Sequence, residues 1–172
     1  MLVVQHIAKG FTKGLADWLG TTTALRVKVA DHGEAPTSGT VYLAPDDRHL
    51  GLSPNGRVAV LDAPPVRGFR PSASFLFEST ARVMGAGVAA VILTGMGSDG
   101  VEGLRAVRAA GGHVVAQDEA SSIVYGMPRA AAEAGTVDCV LSLGEIADYL
   151  IALGRSAGAD AERQQVKGEE GV

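Results

Sequence analysis

Several residue types are scarce in this sequence, and each shortage excludes a class of protein. There is one cysteine, Cys139, so an internal disulfide is impossible. Lys and Arg total 15 against 19 Asp and Glu and form no dense basic run, so nucleic-acid binding is not indicated. No apolar run reaches the ~20 residues that span a bilayer, and no basic segment precedes the first apolar run. We therefore expect a cytoplasmic protein with no signal peptide and no membrane insertion.

The composition favours one class of fold. Only 5% of the residues are aromatic, whereas 47% are hydrophobic and 23 are glycine. Such a balance suits a parallel sheet covered by helices better than a β-sandwich. Strands and helices alternate from residue 72 onward, which predicts an α/β fold with a doubly wound, mostly parallel sheet and helices on both faces. We predict one domain over residues 1–155 and a disordered tail over residues 156–172.

Local patterns place the individual elements. A helix is predicted over 11–19, with Phe11, Leu15, Trp18 and Leu19 on its buried face and Gly20 ending it. An Asn-Gly turn predicts an inserted hairpin over 49–61. The continuous apolar run 88–93 is typical of a central strand buried on both faces. Further strands are predicted at 2–5, 25–29, 41–43, 113–116 and 139–141, and further helices at 72–84, 101–110, 128–134 and after Ser142.

Two side chains suggest chemistry by their position. His6 and Asp99 each come just after the carboxyl end of a predicted strand, where reactive groups collect in open α/β sheets. A histidine oriented by a carboxylate forms two thirds of a nucleophilic triad. The ordinary alternatives stay open: His6 as a capping residue, and Asp99 as an acceptor of backbone N–H groups in its loop.

The loop Gly95–Gly100 has three interpretations. It matches G-x-G-x-x-G after a strand and before a helix, which is the context of a dinucleotide-binding loop. Asp99 opposes that interpretation, because its carboxylate would repel a pyrophosphate at the helix N-terminus. Alternatively, the backbone N–H of Met96 faces a developing oxyanion. In the third interpretation the glycines only permit a tight turn.

A nucleophile is missing from these patterns. The sequence has no G-x-S-x-G elbow, and Ser98 would compete with Asp99 for space and direction. Ser121 and Ser122 suit turn hydrogen bonds better. The other histidines, His32, His49 and His113, show no metal-ligand spacing, so neither a metal nor a cofactor is implied. A non-catalytic interaction module with the same fold therefore remains an alternative.

Several motifs, in a consistent order from the first residues to about Leu153, resemble the chemotaxis-receptor methylesterases (protein-glutamate methylesterases). The motifs are Val3-Val4-Gln5-His6-Ile7 with Gly10-Phe11-Thr12, Tyr42-Leu43-Ala44-Pro45 with Asp47-Arg48-His49, Pro64-Pro65-Val66, Arg70-Pro71-Ser72, Leu93–Gly100, Ala116–Ala120 and Tyr125–Ala130. The resemblance implies a Ser-His-Asp hydrolase that cleaves glutamate methyl esters on receptor helices and deamidates certain glutamines. It assigns the general base to His6, the orienting carboxylate to Asp99 and an oxyanion-hole amide to Met96.

The chain also departs from the family pattern. The family's nucleophilic serine follows an earlier strand, which would precede Val3, so we expect an N-terminally truncated domain that is inactive by itself. A receiver domain, which often precedes that strand, is a possible further partner implied by the resemblance. Phe69 stands where a histidine is frequent, and Ser74 where an aspartate is frequent.

Overall fold

The fold is α/β, as the sequence predicts. A computed structural model describes residues 1–155, so the predicted tail lies outside the described residues. The strands are β1 (Leu2–Val3), β2 (Arg26–Val29), β3 (Thr40–Leu43), β4 (His49–Leu52), β5 (Val58–Leu61), β6 (Ala89–Ile92), β7 (His113–Gln117) and β8 (Cys139–Leu141). The helices are α1 (Thr12–Thr22), α2 (Ala73–Met84), α3 (Val101–Ala109), α4 (Met127–Glu133) and α5 (143–155), with a 3₁₀ turn at Gly85–Gly87.

The parallel strands form two ladders of three strands each. The order in the first is β1-β3-β2, with Leu2 opposite Tyr42 and Val27 opposite Val41. The order in the second is β6-β7-β8, with Ala90 opposite Val114. The predicted hairpin is confirmed as the antiparallel pair β4 and β5. Parallel strands within each ladder bring their carboxyl ends to one edge, where the loops carrying candidate residues begin.

A cleft of about 500 Å³ separates the two ladders, with β1 along one side and β6 along the other. The carbonyls of Met1 and Val3 accept hydrogen bonds from β3 and the loop after it, so the peptide groups of Leu2 and Val4 face away from that ladder. In the described chain, β6 pairs only with β7. It is thus an edge strand of its ladder, whereas the sequence predicted a central strand. The apolar run carries no signal that distinguishes the two positions.

Helix α1 differs from its prediction. It continues through Gly20 to Thr22, and it buries Thr12 and Ala16. Phe11 and Trp18, which were predicted to be buried, are exposed over 63% and 61% of their surface. The reason lies at the start of the helix, where the Thr12 hydroxyl donates to Asp46 Oδ1 and turns that side of the helix inward.

The remaining helix starts agree with the sequence. Ser72 caps α2 by accepting a hydrogen bond from the Phe75 N–H. At the start of α5 the Ser142 hydroxyl accepts from the Glu145 N–H, and the Ser142 N–H donates to Glu145 Oε2, as a capping box requires. Across residues 1–155, no helix combines the length and the apolar character that crossing a membrane requires.

Candidate active site

The structure brings His6 and Asp99 together at the carboxyl edge of the two ladders. His6 Nε2 lies 3.0 Å from Asp99 Oδ2, with the histidine side chain 28% exposed and the aspartate side chain 2% exposed. The contact is close but poorly aligned, because Nε2 has no hydrogen-bond partner of good geometry. Catalytic hydrogen bonds are often loose in ligand-free enzymes, so this distance fits a base and its orienting carboxylate.

The start of helix α2 fixes the Asp99 carboxylate. Oδ1 accepts hydrogen bonds from the Ser72 hydroxyl at 2.8 Å and from the Ser74 N–H at 3.1 Å. Oδ2 accepts one from the Ala73 N–H at 2.6 Å and also faces His6. Both oxygens are thereby held, and the negative charge sits where the helix presents unpaired N–H groups.

These contacts govern the charge of Asp99. Burial by itself raises the pKa of the carboxyl, but the contacts with His6, the Ala73 N–H and the Ser72 hydroxyl outweigh it and hold that pKa well below its usual range. The group is therefore ionised at neutral pH. A carboxylate of such low basicity orients an imidazole and stabilises its cation without taking the proton.

The imidazole of His6 is also held on its face. Phe69 stacks on it with ring centroids 4.8 Å apart and an angle of 20° between the planes. Because Nε2 points to Asp99, Nδ1 is the nitrogen left for proton exchange with a reacting group. The structure thus constrains both the edge and the face of the ring.

The glycine loop carries an unpaired amide at Met96, a residue that lines the same cleft as His6. The Gly95 N–H donates to the Val124 carbonyl, and the Gly95 carbonyl accepts from Gly126 and Met127. Within residues 1–155, the Met96 N–H has no hydrogen-bond partner, and Met96 is 84% exposed. An amide in this condition can donate to an oxyanion, which is the role that the resemblance implies for it.

The loop is less suited to a dinucleotide. The Gly100 N–H, at the start of α3, already donates to the Ser74 hydroxyl at 2.8 Å. It is therefore not free to bind a pyrophosphate. The buried Asp99 carboxylate adds a fixed negative charge at the same helix start.

No serine of residues 1–155 contacts His6 through its hydroxyl. Ser72 donates to Asp99, Ser98 is exposed, and Ser121 bonds to Asp118. The described residues therefore place an imidazole, a carboxylate and an unpaired amide at this edge, with no serine hydroxyl in contact with the imidazole. Sequence reasoning treated Ser72 only as a helix cap and Phe69 only as a departure from the family. No periodicity or spacing in the chain indicates their contacts with the pair.

The chain thus forms an α/β domain with two parallel ladders, a His–Asp contact at their carboxyl edge and a glycine loop with an unpaired amide. The family model described as CheB methylesterase matches residues 1–150. The chain belongs to this family.

Individual relatives agree with the family match. A protein-glutamate methylesterase/protein-glutamine glutaminase 4 of Myxococcus xanthus strain DK1622 is 54% identical over 158 residues, covering 92% of this chain and 45% of that protein. The protein-glutamate methylesterase FrzG of Myxococcus xanthus is 49% identical over 147 residues, covering 86% of this chain and 44% of FrzG. The chain thus spans about 45% of the length of these relatives.

A solved structure shows the same fold. The crystal structure of the Thermotoga maritima CheB methylesterase catalytic domain superposes with a TM-score of 0.84 at 42% sequence identity. The match covers 88% of this chain and 82% of that domain. The α/β fold predicted from the sequence is therefore confirmed by an experimental structure of the family.

Proposed function

We propose that this chain forms the base-bearing part of a carboxylic-ester hydrolase of the protein-glutamate methylesterase and glutamine deamidase type. Its substrates are methylated glutamates on helices of chemotaxis receptors. The observation that carries the proposal is the contact between His6 and a buried, ionised Asp99 at the carboxyl edge of the sheet. Family membership and the names of the relatives supply the substrate class.

The residues take distinct roles in this reaction. His6 accepts the proton of a serine hydroxyl at Nδ1 while Asp99 stabilises the imidazolium through Oδ2. The serine oxygen attacks the ester carbonyl, and the Met96 N–H donates to the oxygen that becomes negative. The imidazolium then returns the proton to the departing methoxy group, which leaves as methanol. Water hydrolyses the acyl-serine with His6 again acting as the base.

The nucleophile belongs, in this proposal, to a strand placed in the cleft between β1 and β6. The peptide groups of Leu2 and Val4 face the cleft from one side, and those of Ala89 and Val91 face it from the other. One parallel strand there would join the two ladders and end beside His6. The cleft is lined mainly by apolar side chains, as a strand buried on both faces requires.

The experiment uses a chimera in which the segment that precedes the matching region in the Myxococcus xanthus strain DK1622 methylesterase/glutaminase 4, with its strand and serine loop, is placed before Met1. Methanol release from methylated receptor is measured for the chimera and for its His6→Ala and Asp99→Asn variants. We expect hydrolysis by the chimera and a loss on the order of 10⁶-fold for His6→Ala. The control is His32→Ala. His32 is exposed, bonds the Val60 backbone and does not line the cleft, so this variant should keep full activity.

Two results would count against the proposal. If His6→Ala retains most of the activity, His6 is not the base. If the intact chimera folds and releases no methanol, the assigned reaction is wrong. A receiver domain as partner and the cytoplasmic location remain predictions.

A further inference from the structure

Phe69 occupies a fixed position between the imidazole and the glycine loop. Its ring stacks on His6 at 4.8 Å, and its Cζ lies 3.9 Å from where a side chain on Gly97 would begin. The half-buried ring therefore fills the space between His6 and the loop that carries the Met96 amide.

The backbone that holds Phe69 is itself well restrained. Phe69 and Val66 exchange two hydrogen bonds, of 3.0 and 2.9 Å, as a small antiparallel bridge. The next residue, Arg70, donates through Nε to Asp47 Oδ1 at 2.7 Å and through Nη1 to the Ala63 carbonyl at 3.1 Å. A ring held by such a loop can restrain a neighbouring side chain.

The His6 imidazole requires this second restraint because Asp99 contacts it at one atom only, Nε2. The Nε2 contact with Asp99 is poorly aligned and leaves the ring free to turn about that point. Stacking against Phe69 fixes the plane of the ring, with an interplanar angle of 20°. The two contacts together determine the direction in which Nδ1 points.

We propose that Phe69 is a positioning residue that fixes the plane of the His6 imidazole and so directs Nδ1 toward the reacting serine. The expected effect of Phe69 on catalysis rests on the proposed function. Its structural part, the restraint of the ring, can be measured on the 172-residue chain without any hydrolysis.

The first measurement is the order parameter of each histidine ring, from relaxation of ¹³C-labelled imidazoles in the 172-residue chain. In Phe69→Leu the His6 ring should lose order and its ring protons should shift as the stacked aromatic is removed, whereas Phe69→Tyr should preserve both. Phe75→Leu is the matched control, because Phe75 stacks on His49 with centroids 4.6 Å apart and an angle of 22°. It should affect His49 and leave His6 unchanged. If Phe69→Leu fails to fold, Phe69→Met serves in its place.

The second measurement is the rate of methanol release by the chimera carrying the same variants. Loss of one aromatic stack in Phe69→Leu should lower kcat by about two- to tenfold with little change in KM. Phe69→Tyr, which keeps an aromatic ring, should retain the kcat of the unsubstituted chimera.

An unchanged His6 order parameter in a folded Phe69→Leu chain would overturn the inference. So would an unchanged kcat in a chimera whose His6 ring has become mobile. A mobile ring in Phe69→Leu together with no hydrolysis by the unsubstituted chimera would support the restraint and refute the proposed function instead.

Discussion

Replacing Ser72 with alanine should destabilise the protein more than removing a hydroxyl of the same helix that bonds only backbone carbonyls. Ser72 is fully buried, and its hydroxyl both donates to the ionised Asp99 at 2.8 Å and caps helix α2 through the Phe75 N–H. A hydrogen bond to a charged group contributes about 1.5–3 kcal/mol, and a helix cap about 1 kcal/mol. One oxygen makes both contacts, so the two contributions overlap. The Ala73 and Ser74 N–H groups continue to bind Asp99 in the variant.

We therefore expect Ser72→Ala to lower the free energy of unfolding by about 2–3 kcal/mol. Urea denaturation followed by circular dichroism measures the change. The control is Thr80→Val in the same helix, which removes a half-buried hydroxyl that donates to the Leu76 and Phe77 carbonyls. Its cost should be about 1 kcal/mol. Equal losses for the two variants would refute the claim that the start of α2 stabilises the Asp99 charge.

Two further predictions concern acid stability and helix packing. The pKa of Asp99 in the folded chain lies below its ordinary value of 3.8, so its stabilising contribution is present above that value and is lost as the pH falls through and below it. Asp99→Asn should therefore reduce the difference between the free energies of unfolding at pH 7 and at pH 3. An unchanged difference would contradict a lowered pKa of Asp99 in the folded chain. A Cβ on Gly103 would lie 2.5 Å from the Ser74 carbonyl oxygen, so Gly103→Ala should cost about 1–3 kcal/mol in urea denaturation. Gly14→Ala, in open space on α1, should instead stabilise by up to about 1 kcal/mol, and similar effects of the two substitutions would contradict the packing of α2 on α3.

Much of the fold follows from local patterns in the sequence. The Asn-Gly turn specifies the β4–β5 hairpin because Gly56 adopts a positive φ of 76° there. Ser72 begins α2 and the Ser142–Glu145 box begins α5 because their side chains bond free N–H groups of the first turn. Such signals lie within a few residues of the structure they produce, so they can be recognised without tertiary information.

Other features depend on contacts between distant residues. The inward face of α1 is set by the bonds of Asp46 to the Thr12 hydroxyl and the Gly10 N–H, which hydrophobic periodicity does not record. Whether β6 is central or at an edge depends on which strand lies beside it, and its own apolar residues suit both positions.

The candidate site was predictable in part for the same reason. Strand ends indicated His6 and Asp99, and the resemblance to methylesterases indicated the Met96 amide. The contacts of Ser72 with Asp99 and of Phe69 with His6 join residues 27 and 63 positions apart, and only the folded chain brings them together.

The central claim is that this chain carries the base and the carboxylate of a methylesterase but not its nucleophile. The direct test compares methanol release from methylated receptor by the purified 172-residue chain and by the chimera that adds a strand and a serine loop. We predict no detectable release by the chain alone and robust release by the chimera, with His6→Ala abolishing it. Turnover by the 172-residue chain that disappears in Ser98→Ala would contradict this account, because the nucleophile would then be a serine already present in the glycine loop.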